Sequence, residues 1–443
     1  MKIVIAVHHF PPHYADGAEL RAYRTASWLR DRGHDVHVIC VEAVDVGDGR
    51  GLTFEDSVYD GLPVRRLSFN MAAASDPFRW SYDNPWIRAH LCAYLNELAP
   101  GLLHLISGYL MSGATPRAAM DLQIPTVVTL TDFWFLCPRT TLLRSNGQLC
   151  APPFHAITCA RCLGEERRRY RIPGRIVSPL MGTFWRRQQS RIAQVQARMW
   201  FLRETLDRVD AIVSPSQFLR DLFVQAGVSP ERIVFSRQGR DFPGLTPEVL
   251  TKTLASHLRV GYMGQIAPHK GVHVLFEAVR RMPGAALTVK AYGDDACFPS
   301  YTRRLRHMIR VDERLVLAGA YEGTEVSRIL REIDVVVVPS LWYENSPNVI
   351  LEAFAHRTPV IVSDLGGMAE LVRDGENGLR FCPGDADSLA CQLYRLLDDA
   401  GLLPVLRASI GLVKSVAHEM RELEEIYSLM TGNGRSRSGK VST

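Results

Sequence analysis

The chain has 443 residues and a formal net charge of +5, with 47% hydrophobic and 22% charged residues. This balance is typical of a folded globular protein, and the length exceeds what one ordinary hydrophobic core supports, so we expect two domains. No run approaches the roughly 18 apolar residues of a membrane-spanning helix. The apolar opening, residues 1–7, is interrupted by His8 and His9 too early for a secretory signal peptide. It predicts a first strand and a cytoplasmic protein.

The first half of the chain alternates apolar runs with helical patterns. Between the first two runs, small and apolar residues from Ala18 to Leu29 recur on one helical face. Strands that alternate with helices predict a parallel sheet covered by helices on both faces. The predicted strands are 2–7, 35–41, 101–106, 126–130 and 210–216.

The second half repeats this alternation, with a helical pattern at 269–282. We therefore predict two doubly wound, Rossmann-like α/β domains, 1–240 and 253–412, that face each other across a cleft and are joined by the linker 239–252. A helix near 415–430 is expected to pack back on the first domain, and the polar tail 431–443 is expected to be disordered. The predicted strands of the second domain are 258–264, 285–293, 314–319, 334–340 and 358–364.

The segment 341–354, LWYENSPNVILEAF, holds two acids in an apolar surround. Glu344 and Glu352 have seven residues between them. Ser346 is a favoured N-cap residue and Pro347 suits a first helical turn, so we predict a helix that begins there. Its free N–H groups and its dipole, about half a positive charge, form an anion site, and the flanking acids would then face hydroxyl groups. From spacing alone, an ordinary solvent-facing acid pair is the alternative.

Two further loops follow predicted strands in the same half. Lys270 and Gly271 lie between a strand and a helix, where a lysine can reach a phosphate group. Gly366 and Gly367 follow another strand, and bare backbone there can approach a ligand closely. Ligands of open parallel sheets bind beyond the carboxyl ends of the strands, so these loops predict a ligand site in the second domain.

Residues 339–385 resemble the signature of family 4 retaining glycosyltransferases, which have the GT-B fold. The acid-x7-acid motif, the Pro-Val-Ile-Val-Ser-Asp-x-Gly-Gly turn and the Asp-Gly-x-Asn-Gly-Leu turn occur in the family's order. Segments 10–39, 209–223 and 264–271 also match family segments. The resemblance covers most of residues 1–430 and implies a glycosyltransferase.

The resemblance also implies roles for individual residues of the donor site. Glu344 would contact the donor sugar, Glu352 would contact the ribose hydroxyls, and Lys270 would neutralise the departing diphosphate. The Gly17 loop of the first domain, residues 16–18, would approach the reacting centre. The backbone at the start of the predicted helix would hold the sugar and diphosphate: Pro347, Asn348 and Val349.

One departure from the family's pattern lies in the donor site. Gln265 stands where the family usually has an arginine. An amide can bond to phosphate but brings no charge. We therefore expect Gln265 to bind the donor and Lys270 to carry more of the electrostatic load, with help from His269.

A second departure lies in the first domain. Thr131 stands where the family often has a histidine, and Asp132 follows it. We assign both to the catalytic set, together with Glu344 and Lys270. His104 either lies near this set or is an ordinary core histidine.

The function that the resemblance implies is transfer of a sugar from a nucleotide-diphosphate sugar to an acceptor hydroxyl, with the anomeric configuration retained. A carbohydrate or lipid-linked acceptor would fit cell-surface polysaccharide or glycoconjugate assembly. An inactive nucleotide-sugar-binding scaffold and a GT-B-fold nucleotide-sugar epimerase are the alternatives. A dehydrogenase is disfavoured because neither first-strand loop reads Gly-x-Gly-x-x-Gly. We find no Asp-x-Asp motif in a predicted cleft loop and expect no cofactor for catalysis.

A cysteine-rich loop, 137–162, has little apolar pattern. Four thiolates can bind zinc tetrahedrally, so this loop predicts a structural zinc ion, with disulfides and free thiols as alternatives. The four cysteines of the loop are Cys137, Cys150, Cys159 and Cys162.

A basic segment, 161–200, mixes arginine with large apolar residues. Residues 161–198 hold ten arginines against Glu165 and Glu166. Together with Phe184 and Trp185, this composition predicts either an interfacial helix on an anionic membrane surface or a solvated helical face. Nucleic acid is not expected as a partner, because no recognition motif is present. The predicted location is cytoplasmic, peripheral to the inner face of the membrane in the first case.

Overall fold

The computed structural model describes residues 1–14, 17–176, 178–242, 244–245 and 256–432, without the side chains of 173–179. Two compact units divide it: unit 1 is 1–237 with the chain from Ala417 onward, and unit 2 is 238–416. The boundary at 237/238 lies three residues before the predicted one at 240. Asp16, most of the predicted linker and the predicted tail from residue 433 onward lie outside the described residues.

Unit 1 is built on an eight-stranded sheet of order β3-β4-β2-β1-β5-β6-β7-β8. All its pairings are parallel except the hairpin of β3 with β4. The strands are β1 Lys2–Val7, β2 Asp35–Ala43, β3 Thr53–Tyr59, β4 Leu62–Ser68, β5 Leu102–Ile106, β6 Thr126–Thr129, β7 Ala211–Ser214 and β8 Ile233–Phe235.

The central strands of unit 1 are apolar because helices cover both faces of a central parallel sheet. Residues 3–7 of β1 are 0% exposed. Strand β1 pairs with β2 on one side and β5 on the other, so the strand order reverses between β1 and β5. The helices are α1 Gly17–Asp31, α2 Pro77–Trp80, α3 Pro85–Leu98, α4 Ala114–Asp121, α5 Ala156–Gly164, α6 Arg168–Ile176, α7 Ser178–Arg186, α8 Gln189–Arg208 and α9 Gln217–Gln225.

Unit 2 is built on a six-stranded parallel sheet of order β11-β10-β9-β12-β13-β14. Its strand order reverses between β9 and β12. The strands are β9 Leu258–Met263, β10 Leu287–Tyr292, β11 Leu315–Gly319, β12 Val335–Val338, β13 Val360–Ser363 and β14 Gly378–Phe381. The helices are α10 Val272–Arg280, α11 Pro299–Ile309, α12 Val326–Arg331, α13 Asn348–Ala355, α14 Gly366–Leu371, α15 Ala386–Asp398 and α16 Leu402–Ala408.

Strand β12 shows why unbroken apolar runs form the centre of unit 2. Val335 and Val337 belong to one buried cluster, whereas Val336 and Val338 belong to another. Successive side chains of a strand point to opposite faces, so each face of the sheet has its own core. The predicted α/β class with two Rossmann-like sheets is confirmed.

The last described helix, α17 (Val416–Gly432), lies in unit 1 from Ala417 onward. Glu419 of α17 forms a buried ion pair with Arg21 of α1, with Nη2 and Oε1 2.6 Å apart. Tyr427 of α17 hydrogen-bonds to His104 of β5. His104 also bonds to Thr129, and it is 1% exposed, so it is a core histidine rather than a site residue.

Three elements of the sheets had no counterpart in the sequence analysis: the β3–β4 hairpin, β8 and β14. The hairpin has an exposed, largely polar first strand, and β8 and β14 have only three or four residues each. Such segments carry little apolar pattern. No helix within the described ranges is long and apolar enough to span a lipid bilayer.

Candidate active site

The centre of the unit 2 site is an ion pair between Lys270 and Glu344. Lys270 ends a short 3₁₀ turn after β9, and Glu344 lies in the loop after β12. The Lys270 Nζ atom is 2.7 Å from Oε1 of Glu344. Both residues therefore follow the two strands between which the order of the sheet reverses, where ligands of doubly wound sheets bind.

The Oε1 atom of Glu344 accepts hydrogen bonds from three donors. Besides Lys270, its Oε1 accepts hydrogen bonds from the Ser340 hydroxyl at 2.9 Å and the Trp342 indole N–H at 2.8 Å. Burial raises the pKa of Glu344, but the charge and hydrogen bond of Lys270 outweigh it with help from Trp342 and Ser340, and the net shift is downward. Glu344 is thus a carboxylate, and within the described residues its Oε2 atom is left for another hydrogen-bond donor.

Two glycines allow these loops to meet. Gly271 has φ +75°, and a Cβ atom there would lie 1.9 Å from the Pro339 carbonyl oxygen. Gly367 donates its N–H to the Glu344 carbonyl at 2.8 Å, and its Cβ would lie 1.9 Å from the Asn345 carbonyl. The sequence predicted that the Gly366–Gly367 turn approaches a ligand. In the structure Gly367 lies against the backbone of the loop that carries Glu344. The approach of this turn to a ligand stays a prediction.

Helix α13 begins at Asn348, with Pro347 as its N-cap and no side-chain capping bond. The prediction that Ser346 caps this helix is therefore wrong. Ser346 Oγ and Asn348 Oδ1 are buried and have no hydrogen-bond partner among the described residues. Buried polar atoms nearly always have a hydrogen-bond partner. Two oxygens without one at the start of α13, beside Val349, therefore indicate a place where a ligand could donate hydrogen bonds.

Glu352 lies inside α13, as predicted, and has a partner that the sequence analysis missed. Arg240 reaches it with Nη2 2.7 Å from Oε1. The Arg240 Nε atom is buried and has no partner among the described residues. The predicted boundary puts Arg240 at the end of the first domain, whereas Arg240 belongs to unit 2. Nothing in its local sequence marks it as a partner of an acid in α13.

Gln265 and His269 lie in the loop between β9 and Lys270. Gln265 is exposed, and its carbonyl accepts a hydrogen bond from the Tyr262 hydroxyl at 2.6 Å. Burial, and then the charge of Lys270, lower the pKa of His269 to about 4. His269 is therefore neutral at pH 7, and the expectation that it adds positive charge beside Lys270 is wrong.

The predicted catalytic residues of unit 1, Thr131 and Asp132, follow β6. Asp132 accepts hydrogen bonds from the Trp134 N–H at 2.7 Å and from the Ser107 hydroxyl at 3.2 Å. Burial raises its pKa, and this is partly opposed by the Trp134 N–H, the charge of His8 and the hydroxyls of Ser107 and Thr131. Ser107 follows β5 and has φ +69°, a strained value for a residue other than glycine.

Unit 1 also holds a histidine–glutamate pair that the sequence did not predict. His8 follows β1, and its Nε2 atom lies 3.0 Å from Oε1 of Glu19 on α1. Gly17 begins α1, and a Cβ atom there would meet nothing within 4 Å. The pair is separated by ten residues and belongs to no short motif. The only available signal was the position of His8 directly after a central strand.

The four cysteines of the 137–162 loop are free thiols, as are the other five in the chain. Burial and then the charges of Cys137, Cys150 and Cys162 raise the pKa of Cys159 to about 12, so the thiols lie near one another. However, no group of three or more His, Cys, Asp or Glu side chains in the described ranges is placed to hold a metal ion. The structural zinc ion stays a proposal, which metal analysis of the purified chain tests.

The basic segment forms α5 to α8. Trp185 is 1% exposed and packs where a side chain on Gly164 would lie, so it is not an interfacial aromatic residue. Ile172, Leu180 and Phe184 are 48%, 70% and 37% exposed. These three residues lie on α6 and α7. The exposed arginines on α6, on α7 and directly beside them are Arg167, Arg168, Arg169, Arg171, Arg186 and Arg187.

Two family models match the chain. The model described as "Glycosyl transferase 4-like domain" matches residues 16–239, about half of the chain, and "Glycosyl transferases group 1" matches residues 257–399. The glycogen synthase of Mycobacterium tuberculosis (strain H37Rv) is 25% identical over 406 residues, which are 90% of this chain and 86% of that one. The lipopolysaccharide core biosynthesis glycosyltransferase LpsE of Rhizobium meliloti is 30% identical over 214 residues, 48% of this chain and 60% of that one.

Solved structures give the same result at the level of the fold. Anabaena HepE, in a complex with UDP, matches with a TM-score of 0.66 at 18% identity, covering 97% of this chain and 100% of that one. The sucrose-phosphate synthase of Thermosynechococcus elongatus matches with a TM-score of 0.64 at 16% identity, covering 98% and 100%. What these GT-B enzymes share with this protein is the fold, two α/β units in tandem, each built on a mainly parallel sheet. The chain therefore belongs to the glycosyltransferases of the glycosyl transferase 4-like family and has the GT-B fold.

Proposed function

We propose that the protein is a retaining glycosyltransferase that moves a sugar from a nucleotide-diphosphate sugar to an acceptor hydroxyl. The observation that carries this proposal is the Lys270–Glu344 pair, 2.7 Å apart at the switch point of unit 2. One side of this pair is an ammonium group, and the other is a carboxylate whose Oε2 atom accepts no hydrogen bond among those described. Such a pair suits a ligand that carries both phosphate and hydroxyl groups.

In this proposal Lys270 stabilises the charge that develops on the leaving diphosphate. The ammonium group lies 4.9 Å from the centre of the Trp342 ring and is bonded to Glu344, so it is already oriented before the ligand arrives. Preorganised groups of this kind contribute about 2.7–4 kcal/mol each to transition-state stabilisation. The acceptor would attack on the face that the diphosphate leaves, and the anomeric configuration would be retained.

The remaining residues around α13 complete the donor site. Glu344 Oε2 would accept a hydroxyl of the donor sugar, and Glu352, held by Arg240, would accept the ribose hydroxyls. The free N–H groups of α13 would face the diphosphate. The orphan Ser346 and Asn348 oxygens support a ligand at this position, because a donor sugar or water carried with it would satisfy them.

The relatives suggest the class of donor and product. HepE has been crystallised with UDP and with UDP-glucose, and LpsE is named for lipopolysaccharide core biosynthesis. We propose a hexose on a nucleoside diphosphate as donor, a carbohydrate or lipid-linked acceptor, and a role in cell-surface polysaccharide or glycoconjugate assembly.

A two-stage experiment tests the proposal. Thermal shift with UDP, GDP, ADP and their hexose conjugates identifies the donor, since a ligand at about 100 times its Kd adds about 2.7 kcal/mol of stability. Nucleotide release and NMR of the anomeric proton of the product then report transfer and its stereochemistry. Binding without release would favour the inactive scaffold, and an isomerised nucleotide sugar would favour the epimerase.

We further propose that the protein works in the cytoplasm and docks on anionic lipid through α6 and α7. Exposed Ile172, Leu180 and Phe184 lie on helices that also carry exposed arginines. Apolar side chains at headgroup depth, ringed by arginine, suit an anionic bilayer surface.

Vesicle flotation tests this docking surface. The wild-type chain should float with phosphatidylglycerol vesicles and stay behind with phosphatidylcholine vesicles. The variant Leu180→Asp/Phe184→Asp should lose flotation. Trp200→Asp is the matched control, because Trp200 is 71% exposed on the neighbouring α8 and lies outside the proposed surface. Equal flotation of both variants would contradict the proposal.

A further inference from the structure

A polar pocket of about 310 Å³ lies in unit 1 among the segment 143–149, α5 and α7. Its lining contains none of the residues proposed above for the donor or catalytic site. This volume is enough for a small ligand. The side chains of its lining that matter here are Arg144, Thr158, Arg161, Glu165, Trp185 and Arg186.

Arg144 is held at the base of a tight hairpin, residues 143–149. Its N–H donates to the Gln148 carbonyl at 2.8 Å. Gly147 makes the turn with φ +88°, a value that glycine adopts without strain. The Arg144 Nε atom also donates to Cys150 Sγ at 3.3 Å. The guanidinium group is therefore anchored through one nitrogen before any ligand arrives.

The charges that line the pocket do not cancel. Arg161 of α5 pairs with Glu165, with Nε and Oε1 2.7 Å apart, and Glu165 is only 6% exposed. Glu165 is the one acid in the lining, so three arginines against it leave a formal charge of +2. Within the described residues, neither Arg144 nor Arg186 forms an ion pair with an acid. The pocket therefore favours an anion.

Trp185 adds an unsatisfied donor to the pocket wall. Trp185 is 1% exposed, and its Nε1 atom is buried without a hydrogen-bond partner among the described residues. Buried polar atoms nearly always have a partner, and an indole N–H can only donate, so the missing partner is an acceptor. A ligand oxygen reaches this buried nitrogen only after a lining side chain moves. Arg186 is exposed, and exposed side chains change rotamer quickly.

The pocket lies on the other side of α7 from its exposed apolar residues. Leu180 and Phe184 are four positions apart and share one face of the helix. With about 3.6 residues per turn, Gly182 and Arg186 fall on the opposite face. A Cβ atom on Gly182 would lie 3.7 Å from Arg161 Nη1, so that face is turned toward α5. A bilayer that docks on Leu180 and Phe184 would not reach the pocket, and its ligand would come from solution.

We propose that the pocket among the hairpin 143–149, α5 and α7 binds a small soluble phosphate monoester. Such an ester carries nearly two negative charges and three acceptor oxygens at pH 7, which match the charge of +2. Guanidinium groups bind phosphate oxygens in pairs, and the Thr158 hydroxyl and the Trp185 indole offer further donors. The proposal is independent of the transferase activity.

Arg186→Gln tests the pocket, and Arg187→Gln is the matched control. Each variant removes one exposed arginine at the end of α7, but only Arg186 lines the pocket. The probes are inorganic phosphate, glycerol 3-phosphate and acetate. Each is titrated into the full chain by calorimetry, at about 0.15 M salt to screen charges outside the pocket. Saturating UDP is present to occupy the nucleotide site proposed in unit 2.

We expect the wild-type chain to bind inorganic phosphate and glycerol 3-phosphate more tightly than acetate. Arg186→Gln should bind glycerol 3-phosphate about tenfold more weakly, the effect of losing one hydrogen bond to a charged group. Arg187→Gln should stay within about twofold of wild type, because its charge lies outside the pocket. No binding of either phosphate by the wild type, tighter binding of acetate, or equal losses in the two variants would overturn the proposal.

Vesicles that contain phosphatidic acid test the other source of a phosphate monoester, a lipid headgroup. Arg186→Gln and Arg187→Gln should float with them to the same extent. A loss of flotation confined to Arg186→Gln would show that bilayer phosphate reaches the pocket, and it would overturn the assignment to a soluble ligand.

The two arginine variants can also be compared without UDP, so the test does not need a working donor site. Arg186→Gln should keep the thermal shift that UDP causes in the wild type, because Arg186 lies in unit 1 and the proposed nucleotide site lies in unit 2. A wild-type chain without a UDP shift would count against the proposed transferase, whereas the difference between Arg186→Gln and Arg187→Gln would still decide the phosphate pocket.

Discussion

The two sheets of the protein reverse their strand order at equivalent places but hold different chemistry there. In unit 2 the loops after β9 and β12 bring a lysine onto a carboxylate, Lys270 on Glu344. In unit 1 the His8–Glu19 pair follows β1, and Asp132 follows β6. Among the contacts described, neither Glu19 nor Asp132 is bonded to a lysine or an arginine. A cation suits a departing diphosphate, whereas histidine, serine and carboxyl side chains suit the hydroxyl groups of a sugar.

The two sites also differ in what holds them. Glu344 is fixed by residues of its own loop, Ser340 and Trp342, and by Lys270. His8 is fixed by Glu19 of α1, and α1 is tied to α17 from the far end of the chain by Arg21. The unit 2 site should therefore be sensitive to changes in its own loops, and the unit 1 site to changes in distant packing.

The largest effect that tests this difference concerns Glu419. Its ion pair with Arg21 is buried, with side chains 3% and 7% exposed. Glu419→Ala leaves the Arg21 guanidinium buried without its acid, which costs about 3–5 kcal/mol of unfolding free energy. Urea denaturation followed by tryptophan fluorescence measures this loss.

The control for Glu419 lies on the same helix. Glu424 pairs with Arg32 at 2.8 Å, but these side chains are 21% and 51% exposed. Glu424→Ala should cost less than about 1 kcal/mol, as exposed pairs do. Equal losses in the two variants would show that burial of the Arg21 pair does not anchor α1.

The next effect concerns Lys270. Lys270→Ala removes the cation that we propose stabilises the leaving diphosphate, so we expect nucleotide release to fall by about 10²–10³-fold, or about 2.7–4 kcal/mol. The assay is nucleotide release from the donor that the thermal-shift screen identifies, under saturating donor. Circular dichroism checks that the variant is folded.

Lys290→Ala is the matched control for Lys270. Lys290 is another unit 2 lysine beside an acid, 3.7 Å from Glu332, with side chains 49% and 43% exposed. It lies in β10, away from the switch point, and its removal should leave nucleotide release unchanged. Wild-type release by Lys270→Ala would break the assignment of the unit 2 site.

The sequence predicted the unit 2 site better than the unit 1 site for a physical reason. Lys270 and Glu344 lie in loops between a strand and a helix, and Glu352 lies in the helix that follows Glu344, so their spacing is visible in the chain. The His8–Glu19 pair depends on how α1 lies over β1. The Glu352–Arg240 pair depends on the fold of a segment that read as a linker.

The fold itself was predictable where a strand is buried on both faces. Unbroken apolar runs such as Val335–Val338 gave the central strands of both sheets. Edge strands and caps were not predictable in the same way. Ser346 is a favoured cap by type, yet the N-cap of α13 is Pro347, and the Ser346 hydroxyl makes no capping bond.

A smaller effect follows from the buried histidine of β5. Burial, and then the charge of Arg21, lower the pKa of His104 to about 3, against about 6.5 for an unfolded histidine. The folded state therefore binds fewer protons than the unfolded state, and this contribution to stability is lost as the pH falls from about 6.5 towards 3. At pH 5 the loss is about 2 kcal/mol.

Urea denaturation at pH 7.5 and pH 5 measures that loss in the wild type and in His104→Gln, which can still bond to Tyr427 and Thr129. The difference in unfolding free energy between pH 7.5 and pH 5 should be about 2 kcal/mol smaller in His104→Gln than in the wild type. His307→Gln is the control, because His307 is exposed on α11, and it should keep the wild-type difference. An unchanged difference in His104→Gln would mean that His104 is not the group that titrates.

The smallest effect concerns how Glu352 is positioned. Arg240 holds one Glu352 oxygen at 2.7 Å, and in the proposed donor site this contact would orient the other oxygen for a ribose hydroxyl. Arg240→Leu should weaken UDP binding by about tenfold, or about 1.4 kcal/mol, because the carboxylate loses its fixed orientation. Calorimetric titration with UDP and with 2′-deoxy-UDP then tests whether the loss passes through the ribose.

In the wild type, 2′-deoxy-UDP should bind more weakly than UDP, since one partner of Glu352 is missing. In Glu352→Ala the two nucleotides should bind alike, and in Arg240→Leu the preference for UDP should be reduced. The coupling energy between the substitution in the protein and the removal of the 2′-hydroxyl measures how strongly that side chain and that hydroxyl interact. If Arg240→Leu weakened both nucleotides equally and kept the full preference, Arg240 would act on the phosphate rather than through Glu352. The unit 2 site would then rest on two cations, which would widen its contrast with unit 1.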